Sequence, residues 1–158
     1  MQERMRAVRK VPRVVQLRRV KKRLHDLWSW LVRDRDGWRC IFCGKGQNLA
    51  EKVYLQAHHW IVHAAGSVAT RFILGNGVTL CWSCHKFHVH LRGDAWTLDR
   101  IRDHMRAKGF ITDDEYDQVK FLGKQCAEVE LEDLLELEQK MLALKTKKEQ
   151  EAGKCLTA

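Results

Sequence analysis

The sequence predicts an α+β protein in which a small zinc-stabilised core of two short strands and a helix is flanked by helices. Three observations predict it. Two C-x-x-C pairs, Cys40/Cys43 and Cys81/Cys84, have 37 residues between them. Inside that interval short apolar runs alternate with Gly-containing turns, a strand-like pattern. On both sides of it, leucines recur at helical spacing.

Residues 1–35 are read as a basic arm and an amphipathic helix. Leu17, Val20, Leu24, Leu27 and Leu31 fall at alternating spacings of three and four, one face of a helix. Pro12 places the start of that helix after it. Arg18, Arg19, Lys21, Lys22 and Arg23 lie mostly on the other faces. The chain has a net charge of +9, and its location is informative. Residues 1–39 hold 13 Lys/Arg against 4 Asp/Glu, whereas the remaining 119 hold 16 of each. Basic side chains that displace counterions supply non-specific affinity for nucleic acid, so this segment is expected to bind DNA. A transit peptide, a membrane-surface helix and a solvated charged face are the other readings.

Residues 36–94 are read as the core. Val53–His59 and Val78–Leu80 are expected as strands, and Trp82–Leu91 as a short helix. Gly44-Lys45-Gly46 and Gly75-Asn76-Gly77 are expected as turns. Residues 95–158 are expected to be helical. Thr97 is placed as the cap of a helix that ends near Gly109. Thr112-Asp113-Asp114-Glu115 has the capping-box pattern. A further helix, from about Cys126 to Lys148, carries Leu131, Leu134, Leu135, Met141 and Leu142. Residues 113–138 hold ten acidic and two basic side chains. This acidic helix is expected to pack on the core or to pair with a second subunit as a homodimer.

No run of 18 apolar residues exists to span a membrane, and the N-terminus lacks the apolar stretch of a signal peptide. A reducing cytoplasm is the expected address, where cysteines serve as metal ligands more often than as disulfides. Two residues between thiolates let both sulfurs reach one ion, and two such pairs complete a tetrahedral zinc site. Cys126 and Cys155 have no partner at ligand spacing. The string Cys81 to His85 also matches the C-x-x-C-H attachment of c-type haem. That alternative would need export and leaves Cys40 and Cys43 unexplained.

Arg35-Asp36-Gly37, the pair His58-His59, Asn76 and the closing C-x-x-C-H together resemble the HNH, or ββα-metal, endonucleases. The resemblance covers about residues 35–92. It is similar to phage endonuclease VII in setting the nuclease hairpin between two zinc knuckles. Around Thr70-Arg71-Phe72 and Leu91-Arg92-Gly93-Asp94 it is similar to phage NinG recombination proteins. The resemblance implies a treble-clef-like zinc core and a metal-dependent DNA endonuclease from a phage or prophage, acting in a bacterial host. It implies duplex or branched DNA as substrate and products with 5′-phosphate and 3′-hydroxyl ends.

Within that resemblance His59 matches the general base, and an imidazole titrating near neutrality suits the task. His58 points to the opposite side of the strand and matches a ligand of a catalytic divalent cation. His85 matches a second ligand. His88, three residues on along the same helical face, could replace or join it. Asn76 matches the residue that braces the loop behind the base, although Asn between two glycines also suits a plain turn. Arg71 is a candidate phosphate clamp. His63 and His90 are read as structural. Many relatives carry Asp where His58 stands, and Asn or His where His85 stands. Two imidazoles favour zinc, nickel or manganese over magnesium, so the identity of the cation stays open. The rival reading, from a different class, is a non-catalytic zinc-finger module that binds DNA.

Overall fold

The computed structural model describes residues 11–63, 67–92, 95–125 and 129–155. The chain is mixed α/β, mostly helical, with a two-stranded sheet. Residues 4–10 of the basic arm, Gly93, Asp94 and Cys126 lie outside the described residues.

Helix α1 spans Arg13–Arg35 and begins directly after Pro12, whose carbonyl accepts from Gln16 N–H at 3.1 Å. Its buried face is Val20, Leu24, Trp28, Leu31 and Val32, with Leu17 and Leu27 partly buried beside it. Leu24, Trp28 and Val32 are fully enclosed. Burying each such side chain contributes about 1.5–3 kcal/mol.

The hairpin consists of β1 (Leu55–His59) and β2 (Gly77–Cys81), antiparallel, with Leu55 opposite Cys81 and His59 opposite Gly77. A lone two-stranded hairpin is marginal in water, so its neighbours must complete it. They do so on the edge of β2 that β1 does not cover. Arg35 donates to the carbonyls of Leu74 and Gly77, both at 2.7 Å. Asp36, paired with Arg35 and with its side chain fully buried, accepts from Thr79 N–H at 2.7 Å. Ile41 N–H donates to the Thr79 carbonyl at 3.1 Å. The face of the hairpin is covered by α1, and Trp28 Nε1 donates to the Ile73 carbonyl at 3.1 Å.

Between the strands lie a short helix α2 (Val68–Arg71) and a 3-10 turn (Leu74–Asn76). Helix α3 (Trp82–Cys84) follows β2 and continues as a π-helix over His85–Arg92. Helix α4 spans Ala95–Ala107, so Thr97 lies within its first turn instead of capping it. The Thr97 hydroxyl donates to the His88 carbonyl at 3.2 Å and so ties α4 to the π-helix. Helix α5 (Asp113–Gly123) opens with the capping box of Thr112 and Glu115.

Helix α6 (Leu131–Cys155) lies along α1 and in the same direction. The ion pairs show the direction: Arg13 with Glu130, Arg23 with Glu138, Asp34 with Lys148. Leu131, Leu134 and Met141 bury against α1, whereas Leu135 and Leu142 stay exposed. Two cores result. One joins α1, α6 and Phe72, and the other joins the hairpin to Ile101, Met105 and Ile111. Among the described residues no helix is long and apolar enough to cross a membrane.

Gly77 sits where α1 presses on the hairpin. A Cβ there would lie 2.6 Å from both Trp28 Cζ2 and Val32 Cγ2. Gly77→Ala is therefore expected to destabilise the fold by about 1–3 kcal/mol, read as a lower urea midpoint. An unchanged midpoint would mean that α1 can lift off the strand without cost.

Candidate metal centre and histidine cluster

The four sulfurs of Cys40, Cys43, Cys81 and Cys84 lie within 4.8 Å of one another. The local chain explains this convergence. Arg39 and Gly46 bridge, Cys40 N–H donates to the Lys45 carbonyl at 2.9 Å, and Gly44 N–H returns to the Cys40 carbonyl at 2.8 Å. Gly44 makes the reversal at φ +70°, a conformation that glycine adopts without strain. The second pair turns at the start of α3, where Cys84 N–H donates to Cys81 Sγ at 3.5 Å.

The spacing fits zinc. Sulfurs at 2.3 Å from a tetrahedral ion are about 3.8 Å apart, and Cys43 Sγ lies 3.7 Å from Cys81 Sγ. The protonation pattern fits as well. Burial pushes the Cys40 thiol up, and burial together with Cys40 pushes Cys84 up strongly. For Cys43 burial also opposes ionisation, but hydrogen bonds from Lys45 N–H and the neighbouring thiols bring it below its usual value. Four clustered thiols do not all ionise without a cation to hold them, and as thiolates they form a closed, structural site.

Successive residues of β1 face opposite ways, and His58 and His59 have different surroundings. His59 is 8% exposed and its ring stacks on Trp28, centroids 4.0 Å apart at 10°. Its Nε2 lies 2.7 Å from the Arg71 carbonyl. A carbonyl only accepts, so Nε2 carries the proton and Nδ1 the lone pair. Burial lowers the His59 pKa, which keeps the ring neutral near pH 7. Arg71 reaches the pair through this backbone carbonyl.

His58 faces the π-helix. Its Nδ1 lies 3.0 Å from His85 Nε2. His90 follows, its ring centroid 4.6 Å from that of His85 and 6.5 Å from that of His58. His63 approaches His58 edge-on at 6.5 Å. Burial, with the imidazoles of His85, His59, His63 and His90, pushes the His58 pKa down to about 3. Burial and then His90 lower His85.

The sequence offered His88 as a possible alternative to His85 and read His90 as structural; in the structure the His90 ring lies nearer His85. In a π-helix, residues five apart share a face. His90 therefore aligns with His85, while His88 turns away and stacks on Phe42 at 4.7 Å. The spacing from His85 to His90 was visible in the sequence, but nothing there announced a π-helix.

Asn76 is fully buried. Its Oδ1 accepts from the N–H groups of Ile61 and Val62 at 2.9 and 3.0 Å, and its Nδ2 donates to the carbonyls of Val62 and Thr70 at 3.0 and 3.2 Å. It thus fixes the chain that leaves β1 after His59.

Of the basic residues on α1, Arg23 is engaged by Glu138 and Lys22 pairs with Asp26 at 2.9 Å. Among the described residues Arg18, Arg19 and Lys21 form no ion pair.

No protein-family model matches the chain, and neither does any curated protein or solved structure.

Two outcomes are expected. Purified protein should hold one zinc per chain, and cobalt in its place should give thiolate-to-metal absorption. Cys43→Ser should lose that band and cost several kcal/mol of stability. The depressed His58 pKa predicts a pH effect of fixed sign. Between its usual 6.5 and about 3, the unfolded chain binds a proton that the folded chain does not, so stability falls as pH falls. His58→Gln should flatten that acid limb in urea melts. An unchanged slope would show that His58 does not set it.

Proposed function

We propose that the chain is a metal-dependent DNA endonuclease of the HNH type, its hairpin and following helix forming a ββα-metal unit on the structural zinc. The observation that carries this reading is the His58–His85 pair. Ligand nitrogens at about 2.0–2.1 Å from one ion stand roughly 3.0–3.4 Å apart in octahedral or tetrahedral geometry, and these two stand 3.0 Å apart. Both imidazoles are held neutral, the form that ligates. His90 lies beside this pair, its ring centroid 4.6 Å from that of His85, and magnesium, manganese, zinc or nickel is the candidate cation. When bound, such an ion supplies Lewis-acid stabilisation of charge on the phosphate.

His59 takes the proton from the attacking water on Nδ1, its tautomer held by the Arg71 carbonyl. Asn76 is a positioning residue for the loop behind it. Arg18, Arg19, Lys21 and Lys22 contact the DNA backbone. The exposed Leu135 and Leu142 support a homodimer through α6, for which mass in solution is the measurement.

One observation favours the rival, a zinc module that binds DNA without cutting it: the burial of His59 against Trp28. Plasmid nicking separates the two. Wild type is expected to nick supercoiled DNA with at least one of the four ions. His59→Ala should slow this by about 10²–10⁴-fold, His58→Ala and His85→Ala should abolish it, and His88→Ala should leave it unchanged. If wild type nicks with none of the ions yet binds DNA, the zinc-module reading stands.

A further inference from the structure

Two large aromatic side chains are left half in water beside the zinc knuckles. Trp82 is 53% and Tyr54 51% exposed. They are neighbours by construction, since Trp82 N–H donates to the Tyr54 carbonyl at 3.0 Å. Both line an open pocket of about 620 Å³ that is also lined by Lys45, Lys52, Glu51 and three of the clustered cysteines, Cys43, Cys81 and Cys84. Lys86 adds a third ammonium, 5.0 Å from the Trp82 ring centroid.

Neither core absorbs this pair, and the proposed chemistry does not use it. Its composition fits one kind of occupant. Flat aromatic faces bordered by ammonium groups match a nucleobase with its phosphate: the base stacks on the ring and the lysines meet the backbone. Paired bases are already stacked within the duplex and offer no free face. An unpaired base does. The pocket is also close to the histidine cluster along the chain. Trp82 precedes His85 by three residues on one continuous helix, so a nucleotide seated on Trp82 presents its backbone about one helical turn from His85.

We infer that the Tyr54–Trp82 pocket is a binding site for one unpaired nucleotide of the DNA strand. This rests on the nuclease reading above and adds a nucleotide-binding site to it.

The test uses the full, zinc-loaded chain with fluorescently labelled DNAs of one sequence, either fully paired or carrying a short single-stranded gap. Gapped DNA is expected to bind about tenfold more tightly than duplex, within the range of one stacked base. Trp82→Ala should remove that preference, leave duplex affinity unchanged and retain bound zinc. Trp82→Phe should restore most of it. Lys45→Ala and Lys52→Ala should each lower the salt slope by about one. Equal binding of gapped and duplex DNA by wild type, or a preference that survives in Trp82→Ala, would overturn the inference. Tighter binding of RNA of the same sequence would overturn the assignment of DNA as occupant. Plasmid nicking keeps the two levels apart. Nicking without a gap preference sinks only the pocket, and a Trp82-dependent gap preference without nicking sinks only the nuclease.

Discussion

A five-residue strand buried on every side has nowhere to leave a backbone group unpaired. β2 is that strand, and the satisfaction of its second edge organises the molecule. With no third strand, two consecutive side chains, Arg35 and Asp36, serve as the partner for Gly77 and Thr79, and Ile41 completes the row. Arg35 closes α1 and Asp36 follows it, so the end of that helix is fixed to the sheet. Ile41 lies between Cys40 and Cys43, so the first knuckle is fixed to the same strand. The second knuckle begins at the end of β2. The cysteine cluster, the long helix and the hairpin thus share one row of hydrogen bonds.

The same strand order separates two environments around adjacent histidines. On the α1 side, Trp28 and the Arg71 carbonyl hold His59 in one tautomer in an apolar setting. On the other side, His58 meets imidazoles from the helix that the second knuckle launches. Asn76 draws the segment after β1 toward the turn before β2. The charge asymmetry of the chain has a structural expression too. Glu130 and the acidic first turns of α6 run beside basic α1 and engage Arg13 and Arg23, so part of the basic face faces its own protein. The exposed Arg13–Glu130 pair contributes little, about 0–1 kcal/mol. The packing of Val20, Leu24, Leu134 and Met141 holds the two helices together.

Much of this was legible in the sequence. Helix α1 and its start at Pro12 follow from leucine spacing and the fixed φ of proline, both local properties. The cysteine cluster followed from ligand spacing, and the capping box of α5 from two residues three apart. What stayed hidden depends on long-range contact. Trp28 is not among the leucines and valine that mark the helical face in the sequence, and only the meeting of α1 with β1 makes it the floor under His59. Thr97 was read as a cap by its residue type, yet its hydroxyl finds a carbonyl on the preceding helix. The exposure of Tyr54 and Trp82 could not be read either, because aromatic residues beside cysteines normally suggest a core.

The π-helix after Cys84 has a consequence for chain length. In an α-helix, side chains five apart point about 140° from each other, and side chains four apart only about 40°. The wide turn therefore holds His85 and His90 together across one residue more than an ordinary helix would allow. Removing one residue between them and relaxing the segment to α-helix would keep the two rings on one face. Adding one would separate them. The histidine pair is thus buffered against deletion and exposed to insertion, an asymmetry that point substitutions along this helix would never reveal.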